Sequence, residues 1–169
     1  GIWAVLGNYD HWYPPAANDG AVRKFFSDAG VALLVNEWGR IGKKLDTLTL
    51  VGVDDPFTGS DNLGDALRGT QRTPFALLLP HAPQMFMKAD LTKFDLVLAG
   101  HTHGGQVRLP GIGPLWLPAD SEGYASGWFY GMNAQMYVTR GVGTSLLPIR
   151  FLCRPEIALI TLKRTATKT

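Results

Sequence analysis

Cysteine, histidine and long apolar runs are the scarce features of this 169-residue chain. There is one cysteine, Cys153, so no disulfide forms within the chain and nothing in it calls for an oxidising compartment. Cys153 closes the apolar stretch IRFLC, where a thiol serves as a small buried filler. No apolar run approaches the ~20 residues that cross a bilayer, and the sequence shows no signal segment. Charge of one sign is lacking too: 16 basic and 14 acidic residues leave +2, and basic residues gather only in the tail KRTATK. Without a basic stripe, nucleic acid is not an expected partner.

What is present is a globular composition, 46% hydrophobic, enough for one domain with a core. Short apolar runs at 2–6, 31–35, 75–79 and 94–99 read as strands, the first of them buried on both faces. Further strands are expected at 38–41 and 47–53, with a Gly/Lys turn between them. Residues 13–15 form a loop, and Asn18 or Asp19 caps a helix over 20–28 that Gly30 ends. Asp61 is expected to cap a second helix through Leu67, and 83–87 suggests a helical turn. From Gly104 onward glycine and proline recur, which is hairpin and loop chemistry, with strands expected at 124–130, 134–140 and 156–162. The fold class is α/β. The chain starts inside an apolar strand, IWAVL, so its N-terminus is expected to be a cut.

The chain has four histidines, and three of them, with one asparagine, follow apolar runs. Asn8 follows IWAVLG, His81 follows FALLLP, and His101 and His103 follow FDLVLAG. In open α/β sheets ligands bind beyond the carboxyl ends of the strands. Parallel strands would therefore carry Asn8, His81 and His101 to one sheet edge, as nitrogen and oxygen donors suited to Mn, Fe or Zn. In an extended HTH segment, His101 and His103 would share one face. Gly104-Gly105 then lets the backbone turn and leaves room for a substrate. A single loop histidine is usually just hydrogen-bonded; the set carries the metal reading.

The segments GNYDH, LLPHAP and GHTHGGQ resemble the later motifs of the calcineurin-like metallophosphoesterases. GVDD at 52–55 and RGVGTSLLPIRFLCRPEI are similar to a bacterial YkuE/YaeI-like branch, which includes enzymes acting on UDP-2,3-diacylglucosamine. The resemblance implies the C-terminal portion of a four-layer sandwich, two mixed sheets flanked by helices, spanning 1–169 as a partial domain. It implies a hydrolase: metal-activated hydroxide attacking a phosphomonoester or phosphodiester. Two divalent ions (Mn, Fe or Zn) would be held, Asn8, His81 and His101 on one and His103 on the other. The substrate would be a small phosphate ester or a lipid-linked one. The location would be the cytoplasm or, by peripheral association, the membrane of a bacterium.

Two features depart from the family pattern. The upstream DxH and GDxxD motifs are absent, so the bridging aspartate and most ligands of the second ion are missing. Tyr9 stands where the family has a histidine, and a phenol is a weaker acid than imidazolium near neutral pH. Tyr9, Asp10 and His11 are the candidates for proton transfer. These departures favour, as the alternative, a catalytically inactive metal-binding or scaffold module, and a chain that is inactive alone. Trp12, Tyr13, Trp116, Trp128, Phe129 and Tyr130 offer an apolar substrate wall or simple packing. Asp54-Asp55-Pro56 reads as a turn rather than a ligand pair, and Arg140 and Arg150 as ion-paired or solvated.

Overall fold

The computed structural model describes residues 1–12, 19–43, 46–70 and 73–163. Its centre is a six-stranded sheet in the order β3-β4-β5-β6-β10-β9. The strands β4 (Asp46–Gly52), β5 (Ala76–Leu79), β6 (Leu96–Ala99) and β10 (Gln135–Val138) run parallel, and β3 (Glu37–Lys43) and β9 (Gly127–Tyr130) close the edges antiparallel.

The central strands β5 (ALLL) and β6 (LVLA) read as unbroken apolar runs because both faces are covered. Successive residues of a strand point to opposite sides, so each run splits between two cores. Val51, Leu78, Val97 and Met136 enter one core with Phe86 and Phe94; α3 (Leu63–Ala66) and α4 (Met85–Lys88) lie on that side. Leu50, Leu77 and Leu96 enter the other with Leu34, against Trp3, Val5 and Ile160.

That second core is shared with a two-stranded parallel sheet of β1 (Ile2–Ala4) and β2 (Val31–Leu33). Two glycines make the approach possible. A Cβ on Gly39 would stand 2.5 Å from the Trp3 ring, and one on Gly52 would stand 2.3 Å from Leu34 Cβ. Between β1 and β2 run α1 (Asn8–Trp12) and α2 (Asp19–Asp28). A hairpin of β7 (Arg108–Leu109) and β8 (Gly113–Pro114) stands apart from both sheets.

Several sequence expectations change here. β1 is short and Ile2 is 63% exposed, because among the described residues β1 pairs only with β2. The α3 cap is Asn62, whose side chain accepts from the Asp65 N–H; Asp61 is not the cap. Residues 156–162 do not form a strand: among the described residues they have no ladder partner, and Ile157 and Leu159 are almost fully exposed. The loop at 13–15, the Asn18 cap, part of the 42–45 turn and the tail from Arg164 lie outside the described residues. No helix among the described residues is long and apolar enough to cross a membrane.

Leu78 is fully buried in the central strand. Leu78→Ala is expected to lower unfolding free energy by about 2–5 kcal/mol in urea titrations. A loss below about 0.5 kcal/mol, the range of surface substitutions, would contradict this core assignment.

Candidate functional site

The site grows from strand ends. β5 and β6 are parallel neighbours, and His81 and His101 each stand two residues past their strand. Asn8 starts α1, which is held at its base by the Asp10 carboxylate accepting the Gly7 N–H at 2.7 Å. Gly7 is required there: a Cβ would lie 2.6–2.9 Å from three atoms of the His81 ring. The glycine lets that ring rest on the backbone and reach Asn8.

Asn8 Oδ1 lies 3.0 Å from His81 Nε2, and the same nitrogen lies 3.0 Å from His101 Nδ1. An imidazole nitrogen carries either one proton or one in-plane lone pair, so His81 Nε2 satisfies only one of these contacts as a hydrogen bond. A cation accepting lone pairs from all three atoms removes the conflict. Ligand atoms ~2.1 Å from such an ion and at right angles would be ~3.0 Å apart. His101 Nε2 is also buried without a partner among the described residues. The chemistry of this trio therefore fits a divalent metal. Among the described residues, however, no group of three or more His, Cys, Asp or Glu is gathered for one.

Burial favours neutral imidazoles here. The His81 pKa is lowered by desolvation, against which the charges of Asp55 and Asp10 act. The His101 pKa falls to about 4, first through desolvation and then through His81, with Asp55 opposing. His103 is lowered by desolvation, with the Gly143 carbonyl opposing and Arg150 adding. Neutral imidazole is the form that binds metals.

His103 stands apart from the trio, its Nδ1 3.2 Å from the Gly143 carbonyl. The HTH segment is not extended as its sequence suggested. His101 and His103 have φ of 69° and 51°, and Thr102 between them is αR. Thr102 explains this: its buried hydroxyl donates to the Ala125 carbonyl at 2.6 Å and accepts from the Gly104 N–H.

The proton-transfer candidates diverge. Tyr9 Oη is 2.7 Å from Ser145 Oγ, while His11 Nε2 is 2.8 Å from Asp54 Oδ1. Asp55 does form the expected turn, its Oδ2 accepting from the Thr58 N–H, yet it is fully buried and Oδ1 has no partner among the described residues.

Arg140 is ion-paired with Glu156, with Nε donating to Oε2 at 2.7 Å. Arg150 donates to the carbonyls of Arg140, Gly143, His103 and Cys153 and so laces the 140–153 loop to His103. Cys153 is buried, as expected of a filler. The aromatic residues do not share one wall. Trp12 meets Phe57, which lies on His101; Phe129 packs on the core; Trp128 meets Tyr137. Trp116 and Tyr130 are exposed, and Tyr13 is outside the described residues.

The sequence marked Asp54 only as part of a turn, not as a partner for His11, and it did not mark Ser145 or the lacing role of Arg150. Asp54 had a readable signal, since it follows the β4 run as His81 follows β5. Ser145 and Arg150 had none, because their partners are distant backbone and side-chain atoms.

The chain is 32% identical over 169 residues to the uncharacterized metallophosphoesterase YkuE of Bacillus subtilis, covering 98% of this chain and 57% of that protein. It is 31% identical over 160 residues to the phosphodiesterase YaeI of Escherichia coli, covering 95% and 57%. An uncharacterized metallophosphoesterase of Aquifex aeolicus is 30% identical over 172 residues, covering 96% and 61%. The chain resembles part of a bacterial metallophosphoesterase. It spans little more than half the length of these curated relatives. No family model and no solved structure matches it.

The lowered His101 pKa gives this metallophosphoesterase-like chain an acid signature. The unfolded chain takes up a proton near pH 6.5 and the metal-free folded chain only near 4, so stability is complete above about 6.5 and falls as pH drops toward 4. In urea titrations His101→Gln should flatten that part of the curve. An unchanged acid limb in the variant would show that His101 is not its source.

Proposed function

We propose that this chain supplies the histidine and amide side of a metal-dependent phosphoesterase site that hydrolyses a phosphomonoester or phosphodiester. The observation that carries this is the shared contact of Asn8 Oδ1 and His101 Nδ1 with His81 Nε2, whose single proton or lone pair does not make two ordinary two-centre hydrogen bonds. In this reading Asn8, His81 and His101 hold one ion and His103 belongs to a second, each Mn, Fe or Zn. When bound, the ions acidify the attacking water and offset charge on the phosphoryl oxygens.

The chain's own residues set the rest. Gly7 gives the His81 ring its position, and Asp10 fixes the start of α1 through the Gly7 N–H. Burial holds the three site histidines neutral and ready as ligands. The two sheets, with helices outside them, form part of the four-layer sandwich that the resemblance implies; the glycine-mediated approach of β1–β2 to the larger sheet supports it.

The substrate is read as a small or lipid-linked phosphate ester. Exposed Trp12 on one side, and exposed Leu146 and Leu147 beside Ser145 on the other, support an apolar group next to the phosphate, and peripheral membrane association would follow from it. The competing reading, an inactive metal-binding module, is favoured by one observation: the Tyr9 hydroxyl, where the family has an imidazole, contacts Ser145.

The ligand set lacks gathered carboxylates among the described residues, so this chain alone is expected to bind about one Mn²⁺ tightly and to turn over little substrate. His81→Ala should abolish that binding in calorimetric titration. A segment bearing DxH and GDxxD should restore a second ion and hydrolysis of bis(p-nitrophenyl) phosphate. Mn²⁺ binding undiminished in His81→Ala would overturn the metal reading. Two ions bound without turnover would favour the inactive module.

A further inference from the structure

We propose that His11, held by Asp54, gives the proton to the leaving group at this site, and that Asp54 is its positioning residue. This rests on the phosphoesterase reading and goes beyond it by assigning the proton donor.

Geometry selects the pair. Asp54 stands two residues past β4, as His81 does past β5 and His101 past β6, and β4, β5 and β6 are consecutive parallel strands. The His11–Asp54 contact therefore sits at the same sheet edge as the metal-ligand candidates. On α1, His11 is three residues from Asn8 and shares its helix face. The two partners differ in exposure as a donor and its anchor should: the His11 side chain is 26% exposed and Asp54 only 10%.

Asp54 is itself fixed on both sides. Its N–H donates to Asn36 Oδ1 at 3.0 Å, and its Oδ1 accepts from the Asp55 N–H at 2.7 Å. Asn36 Oδ1 also accepts from the Asn62 N–H, which ties the acid to the start of α3. A carboxylate held this way is a preset acceptor for the His11 Nε2–H at 2.8 Å. The ring geometry then turns Nδ1 to the opposite side.

The other candidates are engaged elsewhere. The Asp10 carboxylate accepts the Gly7 N–H, and the Tyr9 hydroxyl contacts Ser145. A phenol is also the weaker acid.

The step balances. Water oxygen forms a bond to phosphorus as the bond to the leaving oxygen breaks. The electron pair of that bond goes to the leaving oxygen, which takes the Nδ1 proton of the His11 imidazolium. The proton lost by the attacking water restores the imidazolium. Asp54 accepts the Nε2–H throughout and so fixes the ring while the Nδ1 proton moves.

The test uses the full-length protein with Mn²⁺ and two phosphodiesters, one leaving as p-nitrophenolate and one as an alkoxide. An alkoxide needs a proton to depart; p-nitrophenolate hardly does. His11→Gln should lower kcat for the alkoxide by about 10²–10⁴-fold with little change in KM, and show a much smaller loss for p-nitrophenolate. Asp54→Asn should show the same selectivity at smaller amplitude, with partial recovery in Asp54→Glu. Circular dichroism of each variant, with His11→Asn as a second substitution, separates this from misfolding.

Equal losses on both substrates, or a leaving-group dependence that steepens in Tyr9→Phe instead, would overturn the proposal. If the wild-type protein hydrolyses neither substrate, the phosphoesterase reading falls and this inference with it. If it hydrolyses both in a chelator-sensitive way and only the leaving-group test fails, this inference alone falls.

Discussion

The level pairing of four parallel strands is the constraint on which the site depends. Gly52 pairs with Leu79, Leu78 with Val97, and Ala99 with Val138, so β4, β5, β6 and β10 end almost side by side. Adjacent strands lie about 4.8 Å apart. Residues two positions past each end, Asp54, His81, His101 and Arg140, therefore fall in one row. The row is polar because the chain leaves the two apolar cores there, and it is close because the register is level. A one-residue slip of β6 against β5 would exchange the two cores and carry His101 away from His81.

Holding that row together sets backbone against burial. His101, His103 and Gln106 all adopt positive φ, conformations that cost about 1–3 kcal/mol each in non-glycine residues. The surrounding contacts hold them: the buried Thr102 hydroxyl, the Arg150 guanidinium on the His103 carbonyl, and Gln106 donating to the Ser145 and Leu147 carbonyls. Gly104 is compelled by the same crowding, since a Cβ there would meet Cys153 Sγ at 2.7 Å. The buried thiol is thus a packing surface under the histidine turn.

The centre of the sheet was legible in the sequence because β5 and β6 are apolar on both faces, and a continuous run followed by glycine or proline marks where such a strand stops. The same rule marked Asn8, His81 and His101, which the structure brings into contact. It would have located Asp54 as well, had Asp54-Asp55-Pro56 not matched a turn so well; the turn is real, and Asp54 serves His11 from within it. The bent HTH was not legible, because the Thr102–Ala125 hydrogen bond that bends it spans 23 residues. Nor was the fate of 156–162: an apolar alternating stretch asks for a ladder partner, and none lies among the described residues.

The order of residues in GNYDH then acquires a physical meaning. On an α-helix successive residues turn by about 100°, so positions 9 and 11 face nearly opposite ways while 8 and 11 stay within about 60°. Tyr9 accordingly meets the loop carrying Ser145, and His11 meets the β4 end carrying Asp54. A tyrosine and a histidine exchanged between these positions would each confront the other's partner. An imidazole at 9 would face a serine hydroxyl, which does not hold it as a cation. A phenol at 11 would face a carboxylate, which opposes its ionisation and gives it no second proton to donate. The two side chains therefore differ in what each one meets: His11 an anchored carboxylate at the β4 end and Tyr9 a serine hydroxyl, which is the asymmetry on which the proposed choice of proton donor rests.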